Sequence, residues 1–101
     1  MAPPSEPSGN LTAGEWSKVF YAWGAFVVRY LLFTTAPSIE ARWYGTITAG
    51  LAIPRGPFQS GDEFSVPVVG YSDLWLMAAQ DCDYRLIPQD YRPLPDSGGE
   101  F

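Results

Sequence analysis

Histidine is absent from the sequence, and cysteine and lysine each occur once, as Cys82 and Lys18. Without histidine, catalysis by Ser-His-Asp or Cys-His groups and metal binding through imidazole are excluded. One cysteine excludes an internal disulfide and any zinc site that needs several cysteines. Cys82 is therefore expected to be a buried, unreactive thiol, because no histidine is available to activate it.

Basic residues are also scarce, with six lysines and arginines against eleven acidic residues and a net charge of −5. Proteins that bind nucleic acid directly depend on clustered lysine and arginine, so we expect no direct contact with nucleic acid. The glycines at 45, 50, 56 and 61 separate predicted strands and do not form a phosphate-binding loop. We therefore expect no cofactor.

The few charges are unevenly distributed along the chain. The net charge is +1 up to Ser60 and −6 from Gly61 onward. An acidic half steers a partner with a basic surface toward the protein. The alternative is that these carboxylates only keep an apolar domain soluble.

The two ends of the chain differ in composition from its middle. Residues 1–10 are rich in proline and serine and lack bulky side chains, which predicts a flexible N-terminal arm. Residues 93–101 predict a loose C-terminal tail, which leaves a single domain over residues 11–92. The arm lacks the basic start and apolar core of a secretory signal, so the expected location is cytoplasmic.

A long helix is the clearest element that the sequence predicts. Thr12-Ala13-Gly14-Glu15 fits a capping box. Apolar residues then recur at spacings of three and four, at Trp16, Val19, Phe20, Trp23, Phe26, Val27, Tyr30 and Leu31. The run from Val19 to Phe33 is too short to cross a bilayer, so membrane insertion is not expected. A helix apolar on nearly all sides needs a second cover, which is expected to be either another copy of the chain, giving a homo-oligomer through the helix, or a partner.

After Pro37 the sequence predicts short strands, at residues 42–49, 51–53, 63–69, 73–79 and 84–87. Pro67 suggests an edge strand or a bulge within 63–69, and 73–79 is the best candidate for a central strand. The expected fold is α+β. One long N-terminal helix packs on a small, strongly curled antiparallel sheet or SH3-like partial barrel of four or five short strands.

Asp81 and Asp83 flank Cys82 directly after the predicted central strand. On an extended backbone both carboxylates project to one face, where they could hold a hard cation such as Mg²⁺. The alternative is that they cap a turn or pair with Arg85. A metal-assisted hydrolase or nuclease centred on these two residues is the second functional hypothesis.

Two stretches carry a resemblance to known families. Gly61-Asp62-Glu63-Phe64-Ser65-Val66-Pro67, followed by Leu74-Trp75-Leu76-Met77-Ala78-Ala79-Gln80-Asp81-Cys82-Asp83, resembles uncharacterised bacterial proteins with a Gln-Asp-Cys-Asp signature at a strand end. The strand order also resembles the SH3-like barrel of the PemK/MazF growth-inhibitor toxins, which implies a small barrel. Those toxins cut RNA with an arginine-bearing loop between the two strands. Here that segment, Gly70 to Asp73, has no arginine, so the resemblance implies the fold without the activity.

The leading hypothesis is a non-enzymatic protein-binding module, such as an inhibitor or accessory protein of a phage or mobile element. Its large apolar residues exceed what about 80 folded residues can hide. The candidate partner-binding residues lie on the predicted helix and in the acidic half: Trp16, Phe20, Trp23, Asp62, Glu63, Asp73, Asp81 and Asp83. A structural subunit of a larger assembly is the third hypothesis.

Overall fold

The computed structural model describes residues 6–45 and 53–94, in which five strands form one antiparallel sheet. In chain order the strands are β1 (Ser8–Leu11), β2 (Ser17–Thr34), β3 (Glu40–Gly45), β4 (Glu63–Met77) and β5 (Cys82–Pro93). Their order across the sheet is β1-β5-β2-β4-β3. The two long strands β2 and β4 therefore lie next to each other; β3 pairs with β4, β5 pairs with β2, and β1 pairs with β5 at the far edge.

The prediction of an α+β fold is wrong, because the segment predicted as a helix is strand β2 and no helix occurs in the described residues. Side chains of β2 alternate with a period of two. Phe20, Val28 and Tyr30 are buried on the inner face, whereas Tyr21 and Trp23 are exposed on the outer face. Aromatic and β-branched residues favour strands, and their number here outweighs the helical spacing. An oligomer formed through a helix has no support in this fold.

The predicted capping box is a turn. The amide of Glu15 donates a hydrogen bond to the carbonyl oxygen of Thr12 at 3.0 Å, and the chain then enters β2. Gly14 has a φ of 75°, a left-handed conformation that ends the turn and that glycine adopts without steric cost. The motif therefore marks the start of an element correctly, but the element is a strand.

Strands β2 and β4 form a two-stranded ribbon that folds back on itself near its middle. The rings of Phe20 and Tyr30 lie 5.8 Å apart between centroids, although ten residues of straight strand would separate them by about 33 Å. The bend coincides with a pair of opposed glycines, Gly24 and Gly70, with φ angles of 154° and 82°. Side chains on the inner face of one strand can meet because the ribbon turns back at this point.

A second contact locates the same bend in β4. The hydroxyl of Ser72 donates a hydrogen bond to the carbonyl oxygen of Pro67 at 3.1 Å, five residues earlier in the strand. The indole nitrogen of Trp43, in β3, donates to that oxygen at 3.2 Å. Register shifts between Lys18 and Phe20, and again after Arg29, add local irregularity to β2. Bulges of this kind increase strand bending.

The bend divides the sheet into two parts. The first half-sheet consists of residues 17–22 of β2, residues 72–77 of β4, and β3. The second half-sheet consists of residues 63–68 of β4, residues 26–34 of β2, β5 and β1. The inner faces of both parts contribute to one core, which comprises Leu11, Phe20, Val28, Tyr30, Leu32, Ala36, Ile39, Phe64, Val66, Val68, Leu74, Leu76, Ala78, Cys82 and Leu86.

The other predicted segments have mixed outcomes. The segments 63–69 and 73–79, predicted as separate strands, overlap the single strand β4, so the turn predicted between them is wrong. Pro67 pairs with β2 on one side of β4. On its other side no strand pairs with it within the described residues, because β3 pairs only with residues 72–77. The amide proton that proline lacks is therefore not needed for strand pairing there. Residues 8–11, at the end of the predicted arm, form β1. Residues 1–5, 46–52 and 95–101 lie outside the described part.

Candidate functional site

The outer side of the first half-sheet, extended to Trp16 before β2 and to the Trp23–Tyr71 pair beside the bend, carries an ordered set of aromatic and charged side chains. In the strand register, Trp75 of β4 lies between Lys18 of β2 and Arg42 of β3. Two residues earlier in β4, Asp73 lies between Tyr21 of β2 and Tyr44 of β3. Two residues earlier again, Tyr71 is opposite Trp23. We call this surface the aromatic face, defined by Trp16, Lys18, Tyr21, Trp23, Arg42, Tyr44, Tyr71, Asp73 and Trp75.

Three rings of the aromatic face are largely open to solvent. Trp23 is 76% exposed, Tyr21 is 67% exposed and Tyr44 is 51% exposed. The remaining large exposed apolar residue among those described, Phe33 at 44%, lies on the second half-sheet. Single exposed apolar residues are ordinary, but a contiguous set of this size is typical of a binding surface.

Asp73 holds two of the rings in place. The phenol of Tyr71 donates a hydrogen bond to Asp73 Oδ2 at 3.0 Å, and the indole nitrogen of Trp75 donates to Asp73 Oδ1 at 2.9 Å. The hydrogen bond to Asp73 is the main cause that raises the pKa of Tyr71 above its usual value of 10.0. Both carboxylate oxygens are thus engaged, and the two rings are oriented before any ligand arrives.

The two cations of the aromatic face lie over its rings in cation–π contacts. The ammonium of Lys18 lies 5.3 Å from the ring centroid of Tyr21 and 5.9 Å from that of Trp75. The guanidinium carbon of Arg42 lies 4.2 Å from the ring centroid of Trp16. Neither cation has a carboxylate within salt-bridge distance among the described residues. The face therefore carries two cations and one carboxylate in a chain that is acidic as a whole.

A groove of about 370 Å³ runs into this face and is lined by Trp16, Arg42, Tyr44, Asp73 and Trp75. Its walls are rings and the guanidinium, and its polar side chains are donors except for the Asp73 carboxylate and the Tyr44 hydroxyl, which can also accept. A wider concavity of about 710 Å³ lies beside β1 and β5. Its charged lining residues are already paired, because Asp83 accepts from Asn10 and Arg85 contacts Glu6. We therefore take the groove in the aromatic face as the candidate site.

Three of the predicted site residues, Trp16, Trp23 and Asp73, belong to the aromatic face. Phe20 does not, because it is 5% exposed and lies in the core, where a partner cannot reach it. The other members of the face are not among the predicted site residues. A period-two analysis of 71–75, Tyr-Ser-Asp-Leu-Trp, places Tyr71, Asp73 and Trp75 together on one face, and this signal could have found them.

The four other predicted site residues are acids that make contacts within the chain. Asp62 Oδ2 accepts from the amide of Gln59 at 2.7 Å, and Glu63 pairs with Arg29 at 3.1 Å. Asp81 Oδ1 accepts a hydrogen bond from the amide of Ala13 at 2.8 Å. Asp83 Oδ1 accepts one from the side-chain amide of Asn10 at 2.9 Å.

These contacts are those of turns and strand ends. No group of three potential metal ligands occurs in residues 6–45 and 53–94.

Neither a family model nor a characterised protein nor a solved structure matches the chain. In the described part of the chain, no helix has the length and apolarity needed to span a bilayer.

Proposed function

We propose that the protein is a non-enzymatic binding module that binds another protein through the aromatic face. The observation that carries this proposal is the exposure of Trp23, Tyr21 and Tyr44 on one rigid sheet surface. Tryptophan, tyrosine and arginine dominate the binding energy of protein interfaces, and this face contains all three. Rings that are already oriented lose little conformational entropy when a partner binds.

The reactive groups of the chain support binding rather than catalysis. The only thiol, Cys82, is buried in the core. Asp73 is the one carboxylate in the groove, and each of its oxygens accepts a hydrogen bond, from Tyr71 or from Trp75. Asp81 and Asp83 each accept a hydrogen bond from the β1 segment or the turn after it. These contacts favour a structural role for the paired aspartates over the metal-assisted hydrolase hypothesis.

The electrostatics of the face change the kind of partner expected. The acidic half suggested a partner with a basic surface, but within residues 61–94 its acids lie outside the aromatic face, apart from Asp73. The face itself contributes Lys18 and Arg42. Charge complementarity therefore favours a partner that presents a carboxylate at this site.

Affinity capture from the native host with matched variants tests the proposal. The bait is the full chain, compared with Trp23→Ser and with Phe33→Ser, which removes an exposed ring outside the aromatic face. We expect the amount of a protein that the wild type and Phe33→Ser both retain to fall at least about tenfold with Trp23→Ser, because tryptophans in an interface contribute strongly to affinity. Equal retention by all three baits would contradict a role for the aromatic face.

A further inference from the structure

The hydrogen-bonding groups of the groove indicate what kind of ligand it fits. Within the described residues, neither the indole nitrogen of Trp16 nor the hydroxyl of Tyr44 has a hydrogen-bond partner. Arg42 adds further donors, and arginine has no acceptor. The main acceptor, Asp73, already accepts one hydrogen bond at each carboxylate oxygen, from Tyr71 and from Trp75. The groove therefore offers more free donors than free acceptors.

A polyproline II segment has the opposite character. Its backbone makes no internal hydrogen bonds, so its carbonyl groups are free acceptors, and each proline lacks an amide donor. Aromatic-lined grooves are the recurring recognition sites for such segments, because the conformation is formed in advance and the rings pack against proline. Sugars and peptides in other conformations bring more donors, and the groove offers few acceptors for them, namely the Tyr44 hydroxyl and the remaining lone pairs of Asp73.

The charge of the groove adds a requirement. Arg42 stacks on Trp16, and stacking leaves the edge of a guanidinium free for a bidentate contact. Lys18 lies on the other side of Trp75. Two cations match one or two carboxylates, whereas single-stranded nucleic acid needs a longer positive track. An acidic residue near the prolines is the complement that these groups predict.

We infer that the groove bounded by Trp16, Tyr44 and Trp75 binds a proline-rich, polyproline II segment of the partner, with a Glu or Asp of that segment on Arg42. This inference rests on the proposed function and specifies the part of the partner that docks. The rings hold the prolines, the free donors of Trp16 and Tyr44 bind backbone carbonyls, and Arg42 selects the acidic residue.

Binding of synthetic peptides to the full chain tests this inference. The probes are peptides of repeating Pro-Pro-Glu, Pro-Pro-Gln and Pro-Pro-Lys, and an Ala-Ala-Glu repeat that carries the same charge without the polyproline conformation. Calorimetry gives the affinities. We expect the Pro-Pro-Glu peptide to bind about tenfold more tightly than the Pro-Pro-Lys peptide, because one charge contact is reversed. It should also bind more tightly than the Ala-Ala-Glu peptide.

Two charge-reversal variants separate a site contact from a general effect of charge. Arg42→Glu should weaken binding of the Pro-Pro-Glu peptide about tenfold and improve binding of the Pro-Pro-Lys peptide. Arg92→Glu changes the net charge equally but lies on β5, outside the face, and should leave both affinities nearly unchanged. Circular dichroism checks that both variants fold.

Several results would overturn the inference. They are equal affinities for the acidic and basic peptides, equal effects of the two variants, binding of Ala-Ala-Glu as tight as Pro-Pro-Glu, or no peptide binding at millimolar concentration. Binding of an oligosaccharide or oligonucleotide at Arg42 in place of the peptides would also overturn it. If no peptide binds but host capture still depends on Trp23, the inference fails and the proposed function stands. If capture is also independent of Trp23, both fail.

Discussion

At the scale of single residues, Asp73 organises the aromatic face. It stands between two strands that supply tyrosines and accepts hydrogen bonds from the rings two positions before and after it. Tyr71, Asp73 and Trp75 share a face only because β4 is extended there. Spacing of two residues is therefore the feature that produces the site, and it can be recognised in a sequence once the segment is known to be a strand.

The hydrogen bond between Tyr71 and Asp73 predicts a pH dependence of stability. Because the pKa of Tyr71 is raised in the folded state, the unfolded chain loses this proton first as pH rises above 10.0. The associated stability is complete below pH 10.0 and declines above it, as the pH approaches and passes the raised pKa of Tyr71.

We expect Asp73→Asn to bring the pKa of Tyr71 back toward 10.0. A pH titration monitored by NMR of the tyrosine ring carbons measures this pKa. The alkaline decline in the free energy of unfolding should be shallower in this variant. Tyr84, whose pKa is raised by burial, serves as an internal control and should titrate as in the wild type. An unchanged Tyr71 titration in the variant would contradict the assigned cause.

At the scale of elements, the bend in the β2–β4 ribbon is the feature that sets the architecture. Gly24 and Gly70 face each other across the ladder, and both have positive φ angles. A Cβ built on Gly24 would lie 2.9 Å from the ring of Phe26, so space as well as conformation restricts this position. The bend thus depends on two residues that are far apart in sequence.

Substitution of Gly70 tests this role. Gly70→Ala should lower the free energy of unfolding by roughly 1–2 kcal/mol, because a residue with a Cβ is strained at a φ of 82°. Urea denaturation gives the value. Gly9→Ala, in β1, is the matched control and should have a smaller effect, since its new Cβ would only touch Tyr84 at 3.4 Å. Equal losses in the two variants would argue against strain at the bend.

The same elements show why the helix prediction fails. Apolar residues on both faces of β2 satisfy the spacing of a helix and of a strand at once, because the inner face is core and the outer face carries the exposed rings. Periodicity cannot choose between the two in this case. The β-branched and aromatic content, and Gly24 in the middle of the run, favour a strand. Pairing with β4 and β5 decides it.

At the scale of the whole molecule, one core joins the two half-sheets. Phe20 comes from the first half-sheet and contacts Tyr30 of the second, and Trp43 of β3 reaches across to Pro67. Only residues 78–81 link the end of β4 to the start of β5, which requires the two ends of β2 to lie close together. The halves should therefore unfold as a single unit.

Replacement of Phe20 tests this cooperativity. Phe20→Ala should cost about 3–5 kcal/mol and should lower the hydrogen-exchange protection of both half-sheets together. Phe33→Ala removes a ring from the exposed face of β2 and should cost much less. Loss of protection confined to residues 17–22 and 72–77 would show instead that the two half-sheets are independent.

The sequence alone determines which chemistry the protein lacks, since absent histidine and a single cysteine do not depend on folding. It also indicates extended structure at 63–69 and the start of a secondary-structure element at Thr12–Glu15, because alternating apolar residues and turn residues act locally. The tertiary structure decides the class of the fold, the bend and the aromatic face. Trp16, Arg42 and Trp75 meet only through strand pairing, and a pairing register is a contact between distant segments that no local pattern encodes.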